Sequence, residues 1–175
     1  KSYNGVALVS RSEGTVIANE IPHLGDSQMR VLAMQFGTIC VVNLYVPNGG
    51  EVGSHKYEYK LRWLDALIPW LKDLRRKYQR LVVLGDFNIT PSDFDVHSPE
   101  TKTGQILCSA PERNRLREIM ELGLVDLFRQ FEQSKNQYTW WDYRGNGFLR
   151  NEGMRIDLIL GTSEISDKAR NCKID

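Results

Sequence analysis

"RLVVLGDFNITPSDFDV", Arg80 to Val96, decides how this chain is read. Its apolar run passes through Gly85 directly into Asp86, Phe87 and Asn88. A buried strand ending on two polar side chains is either capping a turn or handling something charged. If extended geometry persists, Asp86 and Asn88 share a face while Phe87 points away. A carboxylate and an amide so placed can orient a water and hold an anionic oxygen, as hydrolysis requires. The plainer reading is an Asx turn ahead of Pro91. The short "GDFN" pattern alone does not separate the two.

Upstream, "RVLAMQF" and "TICVVNLYV" are β-rich runs divided only by Gly37, which predicts a hairpin. Alternation in the second run sets Val41, Asn43 and Tyr45 on one face and Cys40, Val42, Leu44 and Val46 on the other. Val6 to Val9 is expected to form a short strand. From Tyr57 to Tyr78 apolar residues recur at helical spacing, and Pro69 inside that run is expected to kink or split the helix near Ile68. The basic "KDLRRKYQR" reads as a solvated helix end, suited to the dipole. Downstream, a long loop from Ile89 to Ala110 precedes a helix with Pro111 in its first turn and Gly123 as its stop. "LVDLFRQF" is a short helix or turn, and "YTWWDY" and "MRIDLILG" are two further strands. Helices alternating with strands, one hairpin among them, predict a mixed α/β sheet in a single domain over residues 1–175.

The totals exclude little. A formal charge of +1 and 41% hydrophobic residues are ordinary for a globular chain of 175 residues. Cys40, Cys108 and Cys172 are widely spaced and odd in number, which argues against a disulfide framework or structural zinc and fits a reducing, cytoplasmic setting. No apolar run approaches the roughly 20 residues of a membrane span. The chain opens on Lys1 rather than Met and stops abruptly at "RNCKID", as a piece of something longer would.

Other residues carry chemistry only in combination. Asp157 lies in a strand expected to be buried and needs a partner, for which Arg155 on the same face is the structural candidate. Tyr45 ends its strand before a Pro-Asn-Gly loop, where a tyrosine ordinarily covers the core. Trp140 and Trp141 fall on opposite faces, leaving one indole free to stack on a nucleotide or sugar. His23, His55 and His97 lie in loops without metal-ligand spacing. Glu112, Arg113, Arg115 and Arg117 read as a solvated helix face.

Taken in order, "NLYVPNG", "VLGDFNITPSDFDV", "YTWWDYR" and "NEGMRIDLIL" resemble the exonuclease III family of DNA-repair nucleases, within the endonuclease/exonuclease/phosphatase superfamily. "YNGVALVSR" and "RLREIMELGLVDLFR" extend the likeness over nearly the whole chain. The resemblance implies a four-layer α/β sandwich of two mixed β-sheets flanked by helices. It implies Mg²⁺-dependent hydrolysis of DNA phosphodiesters 5′ to abasic sites and at blocked 3′ ends, with Mn²⁺ as a substitute ion. A monomer acting on double-stranded DNA, near the nucleoid and away from membranes, is the expected working form.

Residue by residue, Asp86 resembles the carboxylate that directs the attacking water. Asn88 matches the amide that keeps that carboxylate and the phosphate in register, and both resemble groups at the metal. Tyr45 matches the phenol at the scissile phosphate, and Asp157 the acid that orients a catalytic histidine. Asn48 matches a loop residue near the DNA backbone, while Trp140, Met154 and Ile156 match the pocket for a flipped-out abasic sugar. The family's metal-binding glutamate motif and its Ser-Asp-His motif do not appear in these residues. Both terminal pieces are therefore expected to be missing, and the chain as printed to be incomplete as an enzyme. Two alternatives remain: a sibling phosphodiesterase acting on a small or lipid phosphoester, and a non-catalytic DNA-binding fragment.

Overall fold

Strands β2 (Val31–Phe36) and β3 (Ile39–Tyr45) form the expected hairpin, and burial alternates along β3 as its sequence alternates. The computed structural model describes residues 4–26, 28–132 and 134–174; Tyr3 of "YNGVALVSR" lies outside them. From β3 the chain crosses over through helix α1 (His55–Lys77) into β4 (Arg80–Asp86), which pairs parallel with β3. Ser54 caps α1 by accepting from the Tyr57 N–H at 3.2 Å, and Arg75, Arg76 and Lys77 meet the negative end of its dipole.

After β4 come α2 (Pro99–Lys102), α3 (Ala110–Met120), β5 (Leu124–Asp126) and α4 (Leu127–Phe131). Strands β6 (Trp140–Trp141), β7 (Gly153–Met154) and β8 (Asp157–Thr162) and helix α5 (Ser163–Ser166) complete the order, with β1 (Thr15–Ala18) at the other end. The main sheet is mixed and six-stranded, ordered β1-β2-β3-β4-β8-β5, and a small second sheet pairs β6 with β7. This is the α/β architecture the family resemblance implies, with a second sheet of two strands among the described residues.

One face of the main sheet carries the core. Cys40, Val42, Leu44, Leu81 and Val83 are buried together with Leu64, Leu67, Leu71 and Leu74 of α1. Large aliphatic side chains of this kind contribute about 1.5–3 kcal/mol each when fully buried. The opposite face is more open: Val41, Asn43, Val82 and Leu84 are half-buried, and Ile159 is exposed.

Several sequence expectations need correction. Val6–Val9 forms no strand; a side chain, Asn43 Nδ2, donates to the Ala7 carbonyl at 2.9 Å, and Val9 is fully exposed. Pro69 does not split α1, which runs unbroken from His55 to Lys77. Pro69 and Asp65, whose carbonyl loses its partner, both face solvent, while the buried leucines on either side hold the helix to the sheet. "LVDLFRQF" divides into strand and helix because Asp126 Oδ1 accepts from the Phe128 and Arg129 N–H groups, starting α4. Glu112 is completely buried rather than solvated, as the capping partner of Ser109 at the start of α3. Its neighbours Arg113 and Arg115 are taken up by Asp93 and Asp65.

Candidate active site

Tyr45, Asp86 and Asp157 stand in one rank across three adjacent strands. Tyr45 is the register partner of Asp86 across the parallel β3–β4 ladder, and Asp86 that of Asp157 across the antiparallel β4–β8 ladder. Register partners project to the same face, so one phenol and two carboxylates emerge side by side on the open face of the sheet. They do so at the carboxyl ends of the two parallel strands, where α/β sheets present their ligand crevices.

The strand ends at Asp86, and the backbone departs from extended geometry at Asn88 (φ +49°). Asn tolerates this left-handed conformation better than other non-glycine residues. Asp86 Oδ1 accepts from the Asn88 N–H at 2.8 Å, and Oδ2 accepts from Asn88 Nδ2 at 2.9 Å. The Asx turn and the polar site are therefore one object, because the turn is what aims the carboxylate. Asn88 is buried; its Nδ2 also donates to the Val46 carbonyl at 3.0 Å, and its Oδ1 accepts from Asn48 Nδ2 at 2.9 Å. Asn48 itself is exposed. The side-chain amide oxygen of Asn88 is thus engaged by Asn48, while the amide nitrogen serves the carboxylate.

Burial pushes the Asp86 carboxyl up to about 6. The backbone N–H of Asn88 opposes that rise, Asp157 adds to it, and Lys60 and the Asn88 amide also oppose it. Asp157, exposed on the open face rather than buried, is raised as well by desolvation of its carboxylate, with Thr139 pulling the other way. The Thr139 hydroxyl oxygen accepts from the backbone N–H groups of Ile156 (3.1 Å) and Asp157 (3.0 Å), which fixes the start of β8. Arg155 is not the partner of Asp157. It turns inward, donating to Asp95 and Asp126 at 2.7 Å each, because those two acids are buried and need a cation.

Arg30 braces Tyr45 from beneath. Its guanidinium lies 4.6 Å from the ring centroid and donates to the Tyr45 carbonyl at 3.2 Å. A cavity of about 490 Å³, which none of the three residues of the rank lines, has a wall that includes Trp140, Met154, Leu107, His97 and Glu152. It connects to the rank through Thr139, the neighbour of Trp140, which accepts from the Asp157 N–H. Trp140 is 38% exposed there, an unusual position for an indole. Ile156 lies behind the cavity, in an apolar cluster with Met154, Val96, Leu107 and Cys108. His55 meets Glu58 on the surface, and His97 is held by its backbone to Gly153.

Among the described residues, no group of three or more His, Cys, Asp or Glu is placed to hold a metal ion. The Asp86 carboxylate nonetheless fits a hard cation such as Mg²⁺, which keeps several waters and takes one or two protein carboxylates beside the substrate phosphate. Both polar atoms of the Asn88 side chain, by contrast, are already hydrogen-bonded within the protein.

A family model matches residues 1–169 and is described as the endonuclease/exonuclease/phosphatase family. The chain belongs to that family. Within it, exodeoxyribonuclease III of Haemophilus influenzae is 32% identical over 182 residues, covering 96% of this chain and 68% of that protein. A 3′ phosphatase from Neisseria, solved with a product DNA hairpin, superposes with a TM-score of 0.91 at 37% identity, covering 95% of this chain and 65% of that one. An AP endonuclease from Archaeoglobus fulgidus gives 0.86 at 32% identity, with 94% and 64% covered. The chain spans about two thirds of the length of these relatives. They place this family member among enzymes of the exonuclease III type.

Sequence reading missed Lys60, Thr139 and Arg30. Lys60 had a signal: it sits on the helical stripe of Tyr57, Leu64, Leu67 and Leu71, where a lysine is out of place. Thr139 and Arg30 had none, since their roles arise only once separate segments meet.

Proposed function

We propose that the full-length protein is a divalent-metal-dependent DNA-repair nuclease that hydrolyses the phosphodiester 5′ to an abasic site and trims blocked 3′ ends, acting as a monomer. The observation that carries this reading is the rank Tyr45–Asp86–Asp157 across three adjacent strands; a cavity walled by Trp140 and Met154 connects to it through Thr139. The relatives named above act in the same field, as exodeoxyribonuclease III, 3′ phosphatase and AP endonuclease.

In this reading Asp86 accepts a hydrogen bond from the attacking water and aims it at phosphorus. A carboxyl poised near 6 is largely ionised at neutral pH yet still basic enough to take a proton. Asn88 holds both oxygens of Asp86 and fixes its direction. The Tyr45 hydroxyl donates to a phosphoryl oxygen, and Asp157 orients the group that stabilises developing charge. Mg²⁺, or Mn²⁺ in its place, would be held by Asp86, which Asn88 steadies, and would neutralise charge on the phosphate and the leaving 3′ oxygen. Trp140 and Met154 receive the extruded sugar, which is cheap to flip because it has lost its base.

The test is incision by the full-length protein of three substrates: an abasic duplex, a duplex with a blocked 3′ end, and a small phosphodiester. Cleavage of the two DNA substrates that stops on adding EDTA is expected. Loss of one positioned catalytic group costs about 10²–10³-fold in rate, so Asp86→Asn should lose at least that much. Faster hydrolysis of the small diester than of DNA would favour a sibling phosphodiesterase, and wild-type turnover by Asp86→Asn would refute the assignment.

A further inference from the structure

Behind the rank, and outside the machinery just described, lies a fully buried ion pair, Lys60 of α1 with Glu112 of α3. Lys60 Nζ donates to the Asn88 carbonyl at 2.6 Å, to the Asn48 carbonyl at 3.2 Å and to Glu112 Oε1. An ammonium has three hydrogens, and three acceptors surround this one. Glu112 is equally committed: Oε1 also accepts from the Leu107 N–H, and Oε2 accepts from the Ser109 N–H. Neither side chain of the pair faces solvent.

A buried pair of this kind is weak evidence for stability, because desolvation offsets most of the Coulomb gain and a packed apolar pair would serve as well. What an apolar pair could not do is hold two carbonyls. Those carbonyls belong to the two residues, Asn48 and Asn88, whose side chains pass a hydrogen bond from one loop to the other and on to Asp86. The left-handed backbone at Asn88 also needs something to hold it, and the shortest contact to its carbonyl comes from Lys60.

We infer that Lys60, locked by Glu112, is a positioning residue for the reaction: its ammonium ties the Asn48 and Asn88 loops together and so sets the direction of the Asp86 carboxylate. The inference rests on the proposed nuclease reading for its readout. It concerns a residue that touches neither substrate nor metal.

The experiment uses full-length protein with Lys60→Met, Lys60→Arg and the double variant Lys60→Met/Glu112→Gln. The double variant leaves no unpaired buried charge and stands in where Lys60→Met alone fails to fold. Each folded variant is assayed for incision of an abasic duplex and followed by the side-chain amide NMR signals of Asn48 and Asn88. Expected for Lys60→Met or the double variant is a drop in kcat of about 10–10³-fold, the scale of a mispositioned catalytic group. KM for DNA should stay within a few-fold, and both side-chain amide signals should shift or broaden. Lys60→Arg, which keeps the charge opposite Glu112, should recover part of the rate. A folded charge-free variant with wild-type kcat and unmoved amide signals would overturn the inference. Asp86→Asn, run alongside, separates the two levels: if it is inactive while Lys60 variants are normal, only the inference fails, whereas if it is active the nuclease reading itself fails.

Discussion

Asp86 and Asp157 are register partners on adjacent antiparallel strands, so two carboxylates face one another at the end of the sheet. Like charges directly opposite across a ladder are destabilising. Burial, with Asp157 adding to it, pushes Asp86 up to about 6, well above its unfolded value. The folded state therefore binds the extra proton between about pH 4 and 6, and stability must fall as pH rises through that window. In metal-free protein the loss from this group is on the order of 1–3 kcal/mol. Asp157→Asn should lower the Asp86 midpoint and flatten the decline, read by carboxyl NMR titration and denaturation midpoints at pH 4 and 7. An unchanged Asp86 midpoint would mean the two acids do not sense each other.

Gly85 lets the rank exist. It adopts φ +124°, and a Cβ there would lie 2.1 Å from the Leu44 carbonyl oxygen and 2.7 Å from Asn43 Oδ1. Neither neighbour can yield, since one is backbone in the adjacent strand and the other is bonded to Ala7. Gly85→Ala combines strain with overpacking and should cost about 2–4 kcal/mol. Urea denaturation measures it, and a change below half a kilocalorie would show that β3 and β4 can separate locally.

How much of this was legible beforehand follows from the range of the interactions. The hairpin, α1, β4 and the Asp86–Asn88 couple rest on period, turn chemistry and contacts two residues apart, and each was readable. Val6–Val9 was misread because an apolar run of four signals a strand only if a neighbour arrives to pair with it. Glu112 was misread because Ser109-x-x-Glu112 is an N-terminal capping signature that says nothing of what lies above it; Lys60 comes from 52 residues earlier. Arg155 was assigned to its sequence neighbour Asp157, whereas its partners stand 60 and 29 residues away. The site residues came from ordered motifs, but their common rank is a property of register across three strands.

The Arg155 cluster makes its own prediction. Burial alone would lift the Asp95 carboxyl, yet Arg155, with Arg129 and Ser92, outweighs it and holds the group below the usual carboxylate range. A depressed acid stabilises the fold above its unfolded value near 4 and loses that contribution as pH falls through its lower folded value. Arg155→Met removes the buried cation that Asp95 and Asp126 share, leaving Asp95 to Arg129 and Asp126 to backbone donors, and should cost about 3–5 kcal/mol at pH 7. At pH 3 the penalty should shrink, because protonation then favours the variant. Equal penalties at both pH values would mean the loss is one of packing.

Trp140 tests the cavity rather than the chemistry. Its indole is 38% exposed on the wall of the cavity that His97 and Leu107 also line, while its neighbour Trp141 is fixed by an edge contact to Phe148, ring centroids 5.0 Å apart, and by donation to Asn151. Trp140 is thus the one free to meet a sugar or base, and stacking of that kind contributes about 1–3 kcal/mol. Trp140→Ala should therefore weaken abasic-duplex incision about 10–100-fold, since each 1.4 kcal/mol is tenfold. Hydrolysis of a small phosphodiester should scarcely change, and Trp141→Ala should instead lower the thermal midpoint. Equal losses on both substrates would place Trp140 in the support of the rank, and the sugar would have to be received elsewhere.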